Sequence, residues 1–333
     1  MKERDFIEWI RGQSAMDAAK VPVEPGDDCA VVAFGGELLL VTTDQVLDGV
    51  HFILAEHGPR AAGRKAMARN LSDIAAMAGL PTAAVAAVAL PRDFRLGQAE
   101  AIYAGLREAG DPFDCPVVGG DVAAWDGPLA ITVTVMGKPA GQGGPVLRSG
   151  AKAGDAVCVT GRLGGAWRGR RHLEFVPRIV EAARLAADYR VTAMIDISDG
   201  LATDLHHICR ESGVAAEIVA AEIPIHPDAL AGSDRSGALA AALGDGEDYE
   251  LLFTLPPDQA ERLCRAQRSP EAMKRSLSPQ PIGVEVARIG TITAKPAGPG
   301  SLVTLVETDG TRRPIDPSGW EHRTGADQPG AQP

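Results

Sequence analysis

The nine residues Gly137-Lys-Pro-Ala-Gly-Gln-Gly-Gly-Pro145 limit the fold of this chain more than any other segment. Four glycines and two prolines in nine positions cannot carry a regular helix or a central strand. Apolar segments stop before them and start again after them. The segment therefore predicts a boundary between residues 1–140 and 147–322, followed by an apolar-poor tail at 323–333. A length of 333 residues agrees with two domains of roughly 100–200 residues each.

Both parts alternate strand and helix patterns. Residues 29–34 and 37–43 read as a hairpin about Gly35-Gly36. The alanine-rich stretch 60–78, with Arg, Lys and Met, reads as a helix, and 97–109 as a second. Ala83–Leu90 lies between Pro81 and Pro91 and is short, which favours a buried strand. Ile131, Val133 and Val135 alternate with Thr132 and Thr134, the pattern of a half-buried strand within Pro128–Met136. The second part restarts with a strand at 156–160, a helix at 177–188 and a strand at 193–197. A helix at 199–212 and a strand at 249–255 follow. No internal repeat and no heptad pattern is visible.

Composition excludes several classes. Hydrophobic residues at 45% and charged residues at 23% rule out a disordered chain. The longest clean apolar run, Ala83–Leu90, is eight residues, and a membrane span needs roughly 20. The opening MKERDFIEWIRG carries acids and no apolar stretch, so it does not read as a secretory signal, and the expected address is the cytoplasm. A net charge of −11 disfavours a nucleic-acid binder. An acidic protein can still hold phosphates if metal ions lie between. The five cysteines, an odd number without a C-x-x-C pair, read as core residues in a reducing compartment.

Familiar phosphate and metal motifs are missing. The chain has no G-x-x-x-x-G-K-[ST], no G-x-G-x-x-G after a strand and no H-E-x-x-H. Asp196-Ile-Ser-Asp199-Gly200 is not an EF-hand, because Leu201 stands at the sixth position and His207 at the twelfth. Instead, aspartates recur at the ends of apolar segments: Asp27-Asp28, Asp44, Asp121, Asp196, Asp199 and the run Gly244-Asp-Gly-Glu-Asp-Tyr-Glu250. Taken singly, each reads as a turn former or helix cap. Asp73 escapes that reading, since it sits inside an apolar helix on the face of Asn70. Gly119-Gly120 beside Asp121 permits close approach of a ligand. Gathered carboxylates repel and need cations, and Mg²⁺ commonly uses a few carboxylates plus substrate phosphates.

Ten motifs carry a resemblance: GDDCA (26–30), TTD (42–44), VHF (50–52), NLSDIAAM (70–77), GGD (119–121), RSGAKAGD (148–155), VTGRLG (159–164), RHLEFVPR (171–178), IDISDGL (195–201) and GEDYELLF (246–253). In this order, over residues 3–322, they resemble the thiamine-monophosphate kinases, members of the aminoimidazole-ribonucleotide-synthetase-like superfamily. The resemblance implies a two-domain α/β (α+β) fold, with N-terminal sheets pairing across a homodimer. It implies ATP-dependent phosphorylation of thiamine monophosphate to thiamine diphosphate, with several Mg²⁺ ions and no nucleic-acid or membrane partner. By motif, Asp28, Thr42, Thr43, Asp44, Asp73, Asp121, Asp196 and Asp199 would hold metal. Tyr103, Gly120, Asp121, Arg148 and Ser198 would contact ATP, and His51, Glu247 and Trp320 the thiamine phosphate. By composition alone, His51 between Val50 and Phe52 is a structural histidine; the VHF match assigns it to substrate. His206 and His207 point to different helix faces and receive no role.

No catalytic base is expected, because the acceptor phosphate oxygen is already anionic at pH 7. Two departures from the family pattern stand out: a shortened stretch at 165–171, and Asp245 where the family has glycine, which would bring a further negative charge beside Glu247. Two other readings stay open. One is a different ATP-dependent member of the superfamily, such as a purine-synthesis ligase or a selenophosphate-synthetase-like enzyme. The other is a metal-binding or regulatory protein that kept the fold and lost turnover.

Overall fold

The structure is a computed structural model that describes residue 6 and residues 9–11, 16–23, 25–267, 282–296, 300–317 and 319. Its first sheet is built from β1 (Ala30–Phe34), β2 (Glu37–Leu47), β3 (Gly79–Pro91), β4 (Val117–Trp125) and β5 (Ala130–Pro139), in the order β1-β2-β5-β3-β4. The expected hairpin forms about Gly35-Gly36, with Phe34 opposite Glu37 and Ala30 opposite Val41. In β5, Ile131, Val133 and Val135 are fully buried, as their alternation predicts. That strand runs on through Pro139, so the first three residues of the expected boundary segment are strand. Asp121, expected at the end of an apolar segment, lies with Gly119-Gly120 in the middle of β4, a parallel edge strand beside β3.

Helices α1 (Leu54–Ala76) and α2 (Leu96–Gly110) pack on each other at very short range. A Cβ on Gly63 would lie 2.2 Å from the Ile102 carbonyl oxygen, and one on Gly105 2.0 Å from that of Arg60. Glycine at both positions lets the backbones touch. Helix α1 begins earlier than its composition suggests and kinks at Gly58-Pro59, where the φ of Gly58 is +76°. A proline there has no N–H to donate to the regular helical bond pattern.

The second sheet contains β6 (Ala156–Thr160), β7 (Ala193–Asp196), β8 (Val214–Val219), β9 (Leu251–Leu255), β10 (Val286–Ala294), β11 (Val303–Val306) and β12 (Arg312–Ile315), ordered β12-β11-β8-β10-β6-β9-β7. Its central strands are buried on both faces. Cys158 and Phe253 point into a core continuous with the first sheet, while Val157, Val159 and Leu252 face a separate core under α4 (Leu201–Ser212). Helix α3 (Ile179–Asp188) joins the first of these cores. Helix α1 is shared: it packs on β2 and β5 and also reaches α3 and β7. The consequence is that residues along one helix meet side chains from both sheets. Cys29, Cys115, Cys158 and Cys209 are buried free thiols, as the sequence reading expects, whereas the fifth, Cys264, is only half-buried. Among the described residues no helix is long and apolar enough to cross a membrane.

Candidate active site

The site forms along one stripe of α1. Lys65, Arg69 and Asp73 are spaced four residues apart and therefore share a face. At the Asp73 end, carboxylate oxygens of Asp28, Asp73 and Asp196 lie within 4.8 Å of one another. Asp28 precedes β1, Asp73 is on α1 and Asp196 ends β7, so three separate elements supply the group. Each carboxylate is held. Thr42 Oγ1 donates to Asp73 Oδ2 at 2.5 Å, and Ser72 Oγ to Asp196 Oδ2 at 2.6 Å. The Arg148 guanidinium grips Asp28 through two bonds, 2.7 and 3.1 Å, and also donates to the Gly26 carbonyl. Arg148 is therefore committed to Asp28 rather than free on a surface.

Three carboxylates, Asp196 buried and Asp28 and Asp73 half-buried, with one paired guanidinium leave excess negative charge. Burial, then repulsion from Asp44, Asp196 and Asp28, holds the Asp73 carboxyl well above its usual range. Burial, then Asp28, pushes Asp196 up to about 7. Burial also pushes the neighbouring Asp27 up to about 6. A divalent cation would reverse these shifts, and hard oxygen donors held by hydroxyl and guanidinium partners suit Mg²⁺.

Strand alternation sorts the TTD motif. Thr42 and Asp44 face α1, where Asp44 Oδ2 stands 3.0 Å from Arg69 Nε. The Thr43 side chain turns to the opposite face and joins Thr134 at 3.0 Å. The structure thus does not bring that side chain to the carboxylate group. Asp199 also lies elsewhere: its oxygen groups with Asp204 and His207, again within 4.8 Å. It does not cap α4 with its side chain. Asp204 reaches back to accept from the N–H groups of Asp199 and Gly200, at 3.2 and 3.0 Å.

The Lys65 end is different in kind. The fully buried Lys65 ammonium donates to the His51 carbonyl at 2.6 Å, meets His172 Nδ1 at 2.9 Å and pairs with Glu247. Burial, opposed by Glu247, lowers Lys65 to about 8. Burial and the nearby Lys65 charge push His172 down to about 2, so it stays neutral and can accept from Lys65. Its ring stacks on Trp167 at 4.2 Å, within the shortened stretch 165–171. His51 is itself buried and accepts from the Leu47 N–H through Nδ1.

The residues around Glu247 are laid against the end of β7. Glu247 N–H donates to the Ser198 carbonyl and Tyr249 N–H to that of Ile197, both at 2.8 Å. Glu247 and Tyr249 adopt φ of +61° and +52°, backbone conformations that cost energy for non-glycine residues. This arrangement aims alternate side chains at different partners. Asp248 accepts from Gly164 N–H and Arg171, and Glu250 from Thr160 and Arg178. The Asp245 carboxylate, expected beside Glu247, accepts from the Gly165 N–H at 3.2 Å.

A cavity of about 460 Å³ lies between α2 and β4, lined by Tyr103, Gly119, Gly120 and Asp121 among apolar side chains of β3 and α2. Tyr103, Gly120 and Asp121, all assigned by motif to ATP, therefore share one concave surface. Gly120 is required there: a Cβ would lie 1.9 Å from the Ala86 carbonyl oxygen. Asp121 itself is exposed on the edge strand, outside the Asp28, Asp73 and Asp196 group. Trp320 lies outside the described residues; its neighbour Gly319 donates to Thr203 Oγ1 at 2.9 Å, at the start of α4.

Sequence reasoning missed Lys65, Arg69, Ser72, His172 and Asp204. The available clue was the four-residue spacing of charged side chains in an otherwise alanine-rich helix.

Two family models match the chain. They describe AIR synthase related protein, N-terminal domain, over residues 26–138, and AIR synthase related protein, C-terminal domain, over residues 152–301. That is the class of two-domain α/β protein that this fold and its shared carboxylate site define. The thiamine-monophosphate kinase of Rhodopirellula baltica is 39% identical over 268 residues, covering 78% of this chain and 83% of that protein. That of Bacillus subtilis is 31% identical and covers 97% and 99% respectively. A solved structure of AaThiL complexed with AMPPCP and TMP superposes with a TM-score of 0.77 at 29% identity, covering 97% of each chain. The chain belongs to the thiamine-monophosphate kinase family.

Proposed function

We propose that this chain transfers the γ-phosphoryl group of ATP directly to the phosphate of thiamine monophosphate, giving thiamine diphosphate. The observation that carries the reading is the carboxylate group of Asp28, Asp73 and Asp196, within 4.8 Å and joined across two sheets by α1. Several Mg²⁺ ions are proposed for Asp28, Thr42, Asp44, Asp73, Asp121, Asp196 and Asp199, with Thr43 able to serve only by its main chain. Bound there, Mg²⁺ supplies charge neutralisation and alignment of two phosphate groups that would otherwise repel.

The chain's own residues do the positioning. Tyr103, Gly120 and Asp121 offer the cavity beside β4 to the nucleotide. Ser198 and Arg148 are proposed contacts for its phosphates, with Arg148 also keeping Asp28 in place. His51, Glu247 and Trp320 are proposed to hold thiamine monophosphate. Lys65 fixes the Glu247 carboxylate from below, so that group is oriented before substrate arrives.

The N-terminal part, 1–140, serves as the ATP, magnesium and dimer half, and 147–322 as the other half. A homodimer is supported by β4, an edge strand with Val118, Val122 and Trp125 exposed on it. Such an edge invites pairing with another strand unless it is covered. The free cysteines agree with a cytoplasmic location.

The test is incubation of the protein with ATP, Mg²⁺ and thiamine monophosphate, with ADP and thiamine diphosphate both quantified. Equal amounts of the two products are expected. ADP without thiamine diphosphate would overturn the assignment of acceptor. Light scattering should give twice the monomer mass; a monomer would overturn the dimer.

A further inference from the structure

We propose that Arg69 is a further catalytic residue, whose guanidinium binds the phosphoryl group as it passes from ATP to thiamine monophosphate. This rests on the kinase reading above. The first observation is burial without satisfaction. Arg69 Nε and Nη1 are both buried and neither has a hydrogen-bond acceptor, although Asp44 Oδ2 is only 3.0 Å from Nε. Buried donors are nearly always paired, and a buried charge without its bonds is destabilising. An anion that completes them is the simplest resolution.

The second observation is position. Lys65 lies one helical step before Arg69 and Asp73 one step after, each about 6 Å along the axis. Lys65 carries Glu247, on the acceptor side. Asp73 belongs to the carboxylate group on the metal side. Arg69 thus stands midway between the carboxylate group proposed for metal and the Glu247 end proposed for the acceptor. The ionisable groups acting on it are Tyr249, Asp44, Glu247 and Asp73, so its surroundings are anionic and preserve its charge.

The chemistry suits a guanidinium. In the transfer, the bond from the γ-phosphorus to the ADP oxygen breaks, and ADP leaves with the electron pair. A bond forms from an oxygen of the acceptor phosphate to the same phosphorus. No proton is required by this exchange, and Arg69 neither gains nor loses one. It donates to non-bridging oxygens, where planar paired N–H groups match the geometry. Charge held at that position contributes most in the transition state.

The test compares Arg69→Met and Arg69→Lys with wild type. Three quantities are measured: turnover, affinity for AMPPCP, and affinity for ADP with aluminium fluoride, the last two with Mg²⁺ and thiamine monophosphate present. Arg69→Met should lower kcat by about 10²–10³-fold. It should weaken the aluminium fluoride complex by about 30-fold or more and AMPPCP by no more than about threefold. Arg69→Lys, which keeps a cation beside Asp44, should still lose about tenfold in kcat. If Arg69→Met does not fold, the lysine variant carries the same comparison of the two complexes. Equal weakening of both complexes, or kcat within threefold of wild type, would overturn the proposal. Wild type that makes no thiamine diphosphate would instead overturn the kinase reading, which separates the two failures.

Discussion

The two ends of the Lys65–Asp73 stripe on α1 solve the burial of charge in opposite ways. At one end Lys65, Glu247 and a neutral His172 compensate one another within the protein. At the other, Asp28, Asp73 and Asp196 crowd together with only Arg148 paired among them. The first end has its charges paired as folded, although the buried His172 Nε2 has no hydrogen-bond partner. The second is complete only with cations, because burial and mutual repulsion raise its carboxyls. On the proposed reading, a single helix joins an acceptor side paired within the protein to a side whose carboxylates would take metal.

The sharpest way to break this contrast is to remove charge from each end. Asp73→Asn should lower turnover by about 10²–10³-fold or more, since it takes a ligand from the metal group. Its melting temperature without Mg²⁺ should equal or exceed wild type, because a repulsive charge is gone. Near-normal turnover at low Mg²⁺ would refute the metal side. Lys65→Met should do the reverse and destabilise the fold by about 3–5 kcal/mol in urea titrations, because Glu247 and the His51 carbonyl both lose their buried donor, which deprotonation leaves in place. An unchanged midpoint would mean that the Lys65 end is not self-compensated.

Titration gives two gentler tests. Lys65 has a folded pKa of about 8 against 10.5 for the free side chain. Below pH 8 it is charged in both folded and unfolded chains. Between 8 and 10.5 only the folded chain has released the proton, so this group's contribution makes stability rise with pH there. Affinity for thiamine monophosphate should fall several-fold over the same window as Glu247 loses its cation. The fall should be flatter in Lys65→Arg, and calorimetric titration from pH 7 to 9.5 would show both. A pH-independent affinity would remove Lys65 from the acceptor side. The smallest expected effect concerns Mg²⁺. With Asp196 raised to about 7, protons compete with metal below that pH. The rise in melting temperature on adding Mg²⁺ should therefore be larger at pH 8 than at pH 6. An equal rise at both values would place the cation away from Asp196.

The contrast also explains what the sequence made legible. Local periodicity exposed the β1–β2 hairpin and the alternation of β5, since each depends on neighbours a few residues away. Strand β4 was hidden, because an exposed edge containing Gly119-Gly120 has neither alternation nor an apolar run. Strands β8, β10, β11 and β12 gave no separate pattern. The aspartates were visible because each interrupts an apolar segment. The Lys65 end was not, since Lys65 and Glu247 are 182 residues apart and nothing local links them. Thr43 was placed with Thr42 by motif, although strand alternation alone turns its side chain away.

The contrast between the two ends is tested most directly by crystals grown with Mn²⁺ in place of Mg²⁺, together with AMPPCP and thiamine monophosphate. Anomalous difference maps should show manganese among Asp28, Asp73 and Asp196, with no peak at Lys65, Glu247 and His172. Ligand density with manganese only outside the three carboxylates, or a peak beside Glu247, would contradict the account.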